Sequence, residues 1–291
     1  MSKSKELVVI SGKGGTGKTS ITACFAALEK KSVTADCDVD AADLHLVLQP
    51  KIIDRGDFSG GVKAKIDLKK CTSCGRCRQA CRFSAIEVKD NKFFIDPLLC
   101  EGCGVCKLVC PSEAVILNEE VNGEWYVSET RFGPMSHAKL GIAEENTGKL
   151  VVLVRQKAEG LTGNEGLKRI SDGAPGTGCP VIASLTGVDY AVIVTEPTVS
   201  GLHDLERILD LTQHFNIKSG IIVNKSDINI EMTKKIQDLA KARSIEVLGS
   251  LIYDEDFTKA QMQGRSLVEY INNDTTEQIK NIWLNLQRFS I

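Results

Sequence analysis

Residues Gly12-Lys13-Gly14-Gly15-Thr16-Gly17-Lys18-Thr19 place four glycines, two lysines and two hydroxyls in the order G-x-x-x-x-G-K-[ST]. That spacing is suited to holding phosphate. Glycines let the backbone turn tightly and aim successive N–H groups into an anion nest. A helix starting at Lys18 adds its positive dipole end to the same spot. Lys18 is then the cation for the β- and γ-phosphates, and the Thr19 hydroxyl a ligand for magnesium. The nucleotide-contact set is Gly12, Gly14, Gly15, Thr16, Gly17, Lys18, Thr19 and Ser20. A glycine-rich turn can fit this pattern by chance. Here the apolar run Leu7–Ile10 reads as a buried strand before it, and the Ala-rich stretch 18–30 as a helix after it.

A second chemistry lies further on. Cys71, Cys74, Cys77 and Cys81 are spaced C-x2-C-x2-C-x3-C, and Cys100, Cys103, Cys106 and Cys110, followed by Pro111, repeat the spacing. This is the pattern of bacterial ferredoxins with two 4Fe–4S clusters, in which the fourth cysteine of each run crosses to the other cluster. One cluster is therefore expected on Cys71, Cys74, Cys77 and Cys110, the other on Cys81, Cys100, Cys103 and Cys106. Zinc sites of four cysteines would need longer gaps between cysteine pairs. The stretch is also duplicated at an offset of 29 residues: Ile66-Asp67 returns as Ile95-Asp96, and Ala85-Ile86 as Ala114-Val115. Arg82 stands after Cys81 where the first ferredoxin motif usually has proline, which removes no ligand. Residues 62–117 carry ten Lys/Arg and six Asp/Glu. That basic excess reads as compensation for two anionic clusters, with a docking face for an acidic partner, around Lys69, Lys70, Arg76, Arg78 and Arg82, as the other reading.

Asp36 and Asp38 fall at the end of a short strand from Ser32, where an acid in an open α/β sheet can hold magnesium-bound water or orient an attacking one. Asp40 and Asp43 fit a cap or a solvated loop equally well. With the early Lys13, the loop GKGGTGKTS resembles that of the MinD/ParA/nitrogenase-iron-protein class of ATPases. The resemblance implies that Lys13 reaches across a dimer to the partner's nucleotide, that Asp36 serves magnesium, and that Asp38 orients water. It also implies a switch at Asp172-Gly173-Ala174-Pro175-Gly176, with Asp172 near magnesium. Asn224-Lys225-Ser226-Asp227 alone would suggest guanine; the resemblance makes Asn224 and Asp227 adenine-side residues, with Tyr253-Asp254 lining the base.

The elements that must carry these groups alternate strand and helix, giving a doubly wound, mainly parallel P-loop NTPase sheet with an inserted ferredoxin-like α+β module. The expected division is 1–62 and 119–291 for the ATPase domain and 63–118 for the insert. Strands are expected at Tyr190–Thr195, Ser219–Val223, Ile245–Leu251 and Trp125–Val127, and another at Lys149–Arg155. Helices are expected at Leu202–Phe215 and Thr275–Phe289. Residues 132–148 read as loop, with no role for His137, and 168–171 are unusually polar for a strand before the switch. Cys24 and Cys37 read as packed small residues, whereas Cys179 could join a metal site only across a dimer.

The chain has 291 residues, 42% hydrophobic and 25% charged, with a net charge of −2 and eleven cysteines. No global basic field argues for nucleic acid. No run approaches the roughly 18 apolar residues of a membrane span. The first residues pass directly into a strand, so no export signal is expected, and the cysteine usage suggests a reducing cytoplasm. The family resemblance implies a slow, partner-stimulated, Mg-dependent ATPase and an ATP-dependent homodimer; with the cysteine octet it implies two 4Fe–4S clusters and a redox or iron–sulfur protein as partner. Nucleotide state would gate electron transfer or partner binding. Alternatives are a cluster carrier or assembly ATPase, or a nucleotide-regulated scaffold of a redox complex. A glutaminase-bearing synthetase is weakened because no length remains for the second domain.

Overall fold

The computed structural model describes residues 4–141, 148–163 and 167–289. In chain order the elements are β1 (Glu6–Ser11), α1 (Lys18–Glu29), β2 (Val33–Asp36), α2 (Leu44–Leu48) and β3 (Lys51–Phe58), then β4 (Gly61–Ile66), α3 (Arg76–Ala80), β5 (Ile86–Lys89), β6 (Lys92–Ile95), α4 (Val105–Leu108) and β7 (Val115–Glu120). Next come β8 (Gly123–Thr130), β9 (Gly133–Leu140), α5 (Lys149–Gly160), β10 (Arg169–Pro175), α6 (Cys179–Leu185), β11 (Tyr190–Thr195) and α7 (Val199–His214). The chain finishes with β12 (Lys218–Val223), α8 (Ile230–Ala242), β13 (Glu246–Ser250), α9 (Asp256–Met262), α10 (Leu267–Tyr270) and α11 (Asp274–Gln287).

Two compact units divide the chain. One contains residues 4–56, 125–139 and 148–289, the other residues 57–124 with 140–141. The larger is built on a sheet in the order β13-β12-β11-β1-β10-β2-β9-β8-β3. All pairings from β13 through β9 are parallel. Strand β1 shows why helices cover both faces. Its middle, Leu7–Ile10, is apolar, so successive residues feed opposite cores. Leu7 and Val9 pack with Ile21 and Phe25 of α1 and Ile279 and Trp283 of α11. Val8 and Ile10 pack with Val181 and Leu185 of α6 and Leu205 and Ile208 of α7.

Two readings of the sequence are corrected. Residues Lys149–Arg155 are not a strand but the first half of α5. Leu150, Val151, Val154 and Ala158 are its buried side chains, a helical spacing hidden within an apolar run. Residues 133–140 are not loop but β9, paired in parallel with β2; residues 142–147 of that stretch lie outside the described residues. Met135 packs with Leu44, Val47 and Leu48. His137 is buried too, its Nε2 2.9 Å from Ser128 Oγ, and burial pushes it down to about 4.

The polar strand before the switch is β10, fully buried along Arg169–Ala174. Glu6 of β1 pairs with Arg169 and Ser171 of this strand. Arg155 Nη2 and Arg169 Nη1 lie 2.7 and 3.1 Å from Glu6 Oε2, and Ser171 Oγ donates to Glu6 Oε1 at 2.8 Å. The buried charge is thus paired inside the sheet.

The smaller unit consists of two antiparallel pairs, β4 with β7 and β5 with β6, with α3 and α4 packed together. Its core is made of cysteines and a few aliphatics: Ala64, Ile66, Cys77, Ala85, Ile86, Cys100 and Val115 are all buried.

Candidate functional site

The loop between β1 and α1 meets the C-terminal ends of β10, β2 and β12. Gly17 has φ 96°, and a Cβ on it would come within 2.5 Å of Asn224 Nδ2. Only glycine permits both the conformation and that approach. Helix α1 begins at the next residue with no side-chain cap, so its first-turn N–H groups are left for an anion.

Around this helix start the structure gathers Lys18, Thr19, Asp36, Asp38 and Asp172. Lys18 is 5% exposed, its Nζ 3.4 Å from Asp38 Oδ2. The Thr19 hydroxyl donates to Asp172 Oδ2 at 2.6 Å, and Thr22 Oγ1 to Asp172 Oδ1 at 3.0 Å. Asp36 accepts the backbone N–H of Asp38 at 3.2 Å and of Leu44 at 3.1 Å, which fixes the turn after β2.

Three buried carboxyls thus face one buried cation. Burial pushes Asp36 well above the usual carboxylate range, and the charges of Asp172 and Asp38 push the same way. Asp172 rises to about 6, burial outweighing Lys18 and the two threonine hydroxyls. Asp38 is also raised, burial exceeding the help of Lys18. Asp38 Oδ1 and Thr16 Oγ1 are buried with no hydrogen-bond partner. Orphaned acceptors beside uncompensated carboxyls suit a hydrated cation. Among the described residues no three His, Cys, Asp or Glu side chains converge on a single ion. Magnesium does not require this, because it keeps several waters and takes one or two carboxylates plus phosphates.

Lys13 turns away from this group. It is ion-paired with Glu196, with Thr198 Oγ1 at 3.4 Å and Ser200 Oγ at 3.3 Å. Glu196 also holds Lys225 at 3.1 Å, and Lys225 Nζ donates to the Gly15 carbonyl at 3.2 Å. Sequence reasoning passed over Glu196 and gave Lys225 no role of its own; Lys225 lies inside the quoted NKSD run, while Glu196 carries no motif.

Beside the loop is a cavity lined by Gly15, Gly17, Ser20, Asn224, Tyr253 and Asp254, with Phe257, Thr258 and Gln261 from α9. Asn224 Nδ2 donates to the Thr16 carbonyl at 2.8 Å, so Asn224 ties β12 to the phosphate loop. Asp227 is not part of the lining. Its Oδ1 accepts the Tyr253 N–H at 2.7 Å and shapes the loop that is. The α9 residues had no sequence signal, because a short helix after a loop has no distinguishing spacing.

The smaller unit has its own site. Cys71, Cys74, Cys77 and Cys110 line one pocket; Cys81, Cys100, Cys103 and Cys106 line another. Each takes three cysteines from one run and the fourth from the other. The crossing is built by matched bonds: Asp67 N donates to Ala114 O at 2.7 Å, and Asp96 N to Ala85 O at 2.8 Å. Gly75 and Gly104, both at φ 75°, open α3 and α4. All eight thiols are free. Backbone N–H groups of Ala64 and Ala114 point at Cys100 Sγ and Cys110 Sγ, at 3.5 and 3.3 Å. Such donors suit anionic sulfur. Burial raises the Cys77 and Cys106 thiols. For Cys110 burial is outweighed by the Ser112 hydroxyl and nearby backbone N–H groups, and the thiol is lowered. A four-iron cluster gives each thiolate its own iron, so four cysteines round a cavity fit it although they do not converge on a point. Cys24 and Cys37 are fully buried, and Cys179 is exposed at the start of α6. Among the described residues no helix is long and apolar enough to cross a membrane.

Compared with known proteins, residues 7–268 match the CobQ/CobB/MinD/ParA nucleotide binding domain. An uncharacterised protein of Methanocaldococcus jannaschii is 32% identical over 289 residues, covering 98% of this chain and 97% of its own. The fold is similar to that of the Pyrococcus furiosus cell division ATPase MinD, with a TM-score of 0.58 at 14% identity, covering 98% of this chain and 99% of that one. The septum site-determining protein MinD of Pyrococcus horikoshii, solved with Mg-ADP, gives 0.57 at 16% identity, over 98% of this chain and 97% of that one.

Proposed function

The chain belongs to the CobQ/CobB/MinD/ParA nucleotide-binding family, and from that premise we propose that it is an Mg–ATP-hydrolysing iron–sulfur protein. Its two four-iron clusters sit in the cysteine cavities, and nucleotide state governs electron transfer or the binding of a redox partner. The observation that carries the iron–sulfur part is the pair of cavities, each closed by three cysteines of one run and the fourth of the other.

When bound, magnesium would neutralise phosphate charge, and the clusters would store and pass single electrons. The protein's own part is positional. The uncapped N–H groups of α1 and the ammonium of Lys18 bind the phosphates. Thr19, Asp36 and Asp172 hold magnesium and its waters. Asp38, whose Oδ1 has no partner, orients the attacking water once Lys18 turns from it to phosphate. The α9 cavity takes the base, with Asn224 fixing the loop beside it. Lys13 acts between two subunits of an ATP-dependent dimer, after release from Glu196.

The test is anaerobic purification with iron, sulfide and nucleotide measured on the same sample. About eight iron and eight sulfide per chain are expected, with Mg–ATP hydrolysis above background. Zinc in the octet, or no bound iron, would overturn the iron–sulfur reading and leave the ATPase reading standing.

A further inference from the structure

The two cysteine cavities are copies of one design, and we infer that the few positions at which they differ set the order of reduction: the cluster on Cys71, Cys74, Cys77 and Cys110 accepts an electron before the cluster on Cys81, Cys100, Cys103 and Cys106. The inference rests on the reading of the octet as two four-iron sites. The step is a one-electron reduction by an added reductant, in which the electron remains on the cluster and no bond forms or breaks.

At the 29-residue offset the linings superimpose: Ile66 with Ile95, Gly75 with Gly104, Ala114 with Ala85, Val115 with Ile86. Against that background Ser112 of the first cavity is replaced by Phe83 in the second, Thr72 by Glu101, and Phe93 by Ala64, an apolar exchange that offers the sulfurs no side-chain donor on either side. The first change matters because Ser112 Oγ lies 3.6 Å from Cys110 Sγ; the Ala114 N–H on Cys110 is matched by the Ala64 N–H on Cys100 of the second site. Phe83, in the same place beside Cys81, has no donor to offer. A hydrogen bond to a ligand sulfur stabilises the more negative, reduced cluster and raises its potential. Glu101, an anion near the second cavity, works in the opposite sense but is exposed and screened.

Exposed charge follows the same division. Lys69, Lys70 and Arg76 flank the first three cysteines, where the second run has Leu98, Leu99 and Val105. Arg78 and Lys107 balance one another. Arg82 beside Cys81 and Glu113 near Cys110 oppose the trend, but both are exposed and screened. The Ser112 hydroxyl, 3.6 Å from a ligand sulfur, decides the order.

The experiment is a redox titration of the full-length, cluster-loaded protein with dithionite, followed by electron paramagnetic resonance. Iron and sulfide are counted first: a chain without them overturns the cluster reading itself, not the ordering. Two reduction waves are expected. Ser112→Ala should shift the upper wave to more negative potential and leave the lower one in place, while Ser112→Thr, which keeps a hydroxyl, should restore it. Phe83→Ser should shift only the lower wave, upwards, and carries the test alone if Ser112→Ala loses iron. Coincident waves in the wild type, or Ser112→Ala acting on the lower wave or on neither, would overturn the ordering.

Discussion

The phosphate pocket and the cysteine unit gather their side chains over very different lengths of chain. Thr19 meets Asp172 across 153 residues, and Asn224 meets Thr16 across 208. All eight motif cysteines fall between residues 71 and 110. The first site exists only when the whole parallel sheet is formed. The second is held by short local pairs and two short helices. Damage in either should therefore stay there, and the strongest tests look for leakage between them.

The largest effects are losses of ligand. Lys18→Ala removes the buried cation of the phosphate pocket, and Mg–ATP binding should disappear in calorimetric titration while iron content stays unchanged. Replacing Cys71, Cys74 and Cys77 by serine should remove about half of the iron, with the phosphate pocket still binding Mg–ATP, at an affinity that moves by no more than the coupling between the sites. Loss of iron in the lysine variant, or loss of ATP binding in the cysteine variant, would show that the two sites are not built independently.

Next in size is an effect on the sheet alone. Glu6 is 1% exposed at its side chain and is shared by Arg155 and Arg169. Glu6→Ala leaves two buried guanidinium groups uncompensated, at a cost of about 3–5 kcal/mol. The denaturant midpoint followed by Trp283 fluorescence should fall accordingly, with Trp125 replaced by Phe to isolate the signal. An unchanged midpoint would mean that the buried network does not hold β10 in the sheet.

A smaller effect is set by pH. Asp172 is raised from 3.8 to about 6 by burial, Lys18 and the threonine hydroxyls only partly offsetting it. A carboxyl with a raised folded-state pKa contributes stability that is present below its unfolded value and is lost as pH rises through its folded value. Asp172→Asn mimics the protonated form. Its melting temperature should match the wild type near pH 4 and exceed it above pH 6, by on the order of 1 kcal/mol or roughly 2–4 °C. Saturating Mg–ATP should close the gap by supplying the missing positive charge to the wild type. A gap independent of pH would rule out ionisation of Asp172 as its cause.

How legible each region was in the sequence follows the same division. The cysteine runs carry their pairing in their spacing, and the expected quartets are the sets that line the two cavities. In the larger unit, runs such as Leu7–Ile10 and Tyr190–Thr195 gave strands directly, because a strand buried on both faces is apolar throughout. The same rule misread Lys149–Arg155, where an apolar run with two charged ends is a helix that turns one side to the sheet. It also undervalued β10, since Arg169 and Ser171 look polar until Glu6, 163 residues before Arg169, is found beside them. Strand β9 was hidden by Gly133, Pro134 and Ser136, loop formers that here lie beside β2. In the phosphate pocket, Asp36 is marked by its place at the end of a strand, whereas Asp172 is reached only through family resemblance, because nothing local marks two aspartates as neighbours. Glu196 was missed for that reason: its partners Lys13 and Lys225 come from two other strand ends.

The smallest expected effect concerns that glutamate. In the single chain Lys13 is held by Glu196, Thr198 and Ser200, with its side chain 31% exposed and that of Glu196 15%. If Lys13 must leave them to serve a second subunit, the intrachain contact opposes dimerisation. A partly exposed pair of this kind is worth about 1 kcal/mol or less, so Glu196→Gln should tighten ATP-dependent dimerisation by no more than about fivefold. ATP affinity of the monomer should hardly change, since Lys18 and the loop N–H groups remain. Lys13→Ala should bind ATP as the wild type does and hydrolyse it poorly. Sedimentation at several protein concentrations, with a non-hydrolysable ATP analogue, measures the first effect; turnover measures the second. Weaker dimerisation in Glu196→Gln would mean that the glutamate supports the interface rather than restraining the lysine. Normal hydrolysis by monomeric Lys13→Ala would remove the intersubunit role altogether and leave the Glu196 pair as a support for the Gly15 loop, through Lys225.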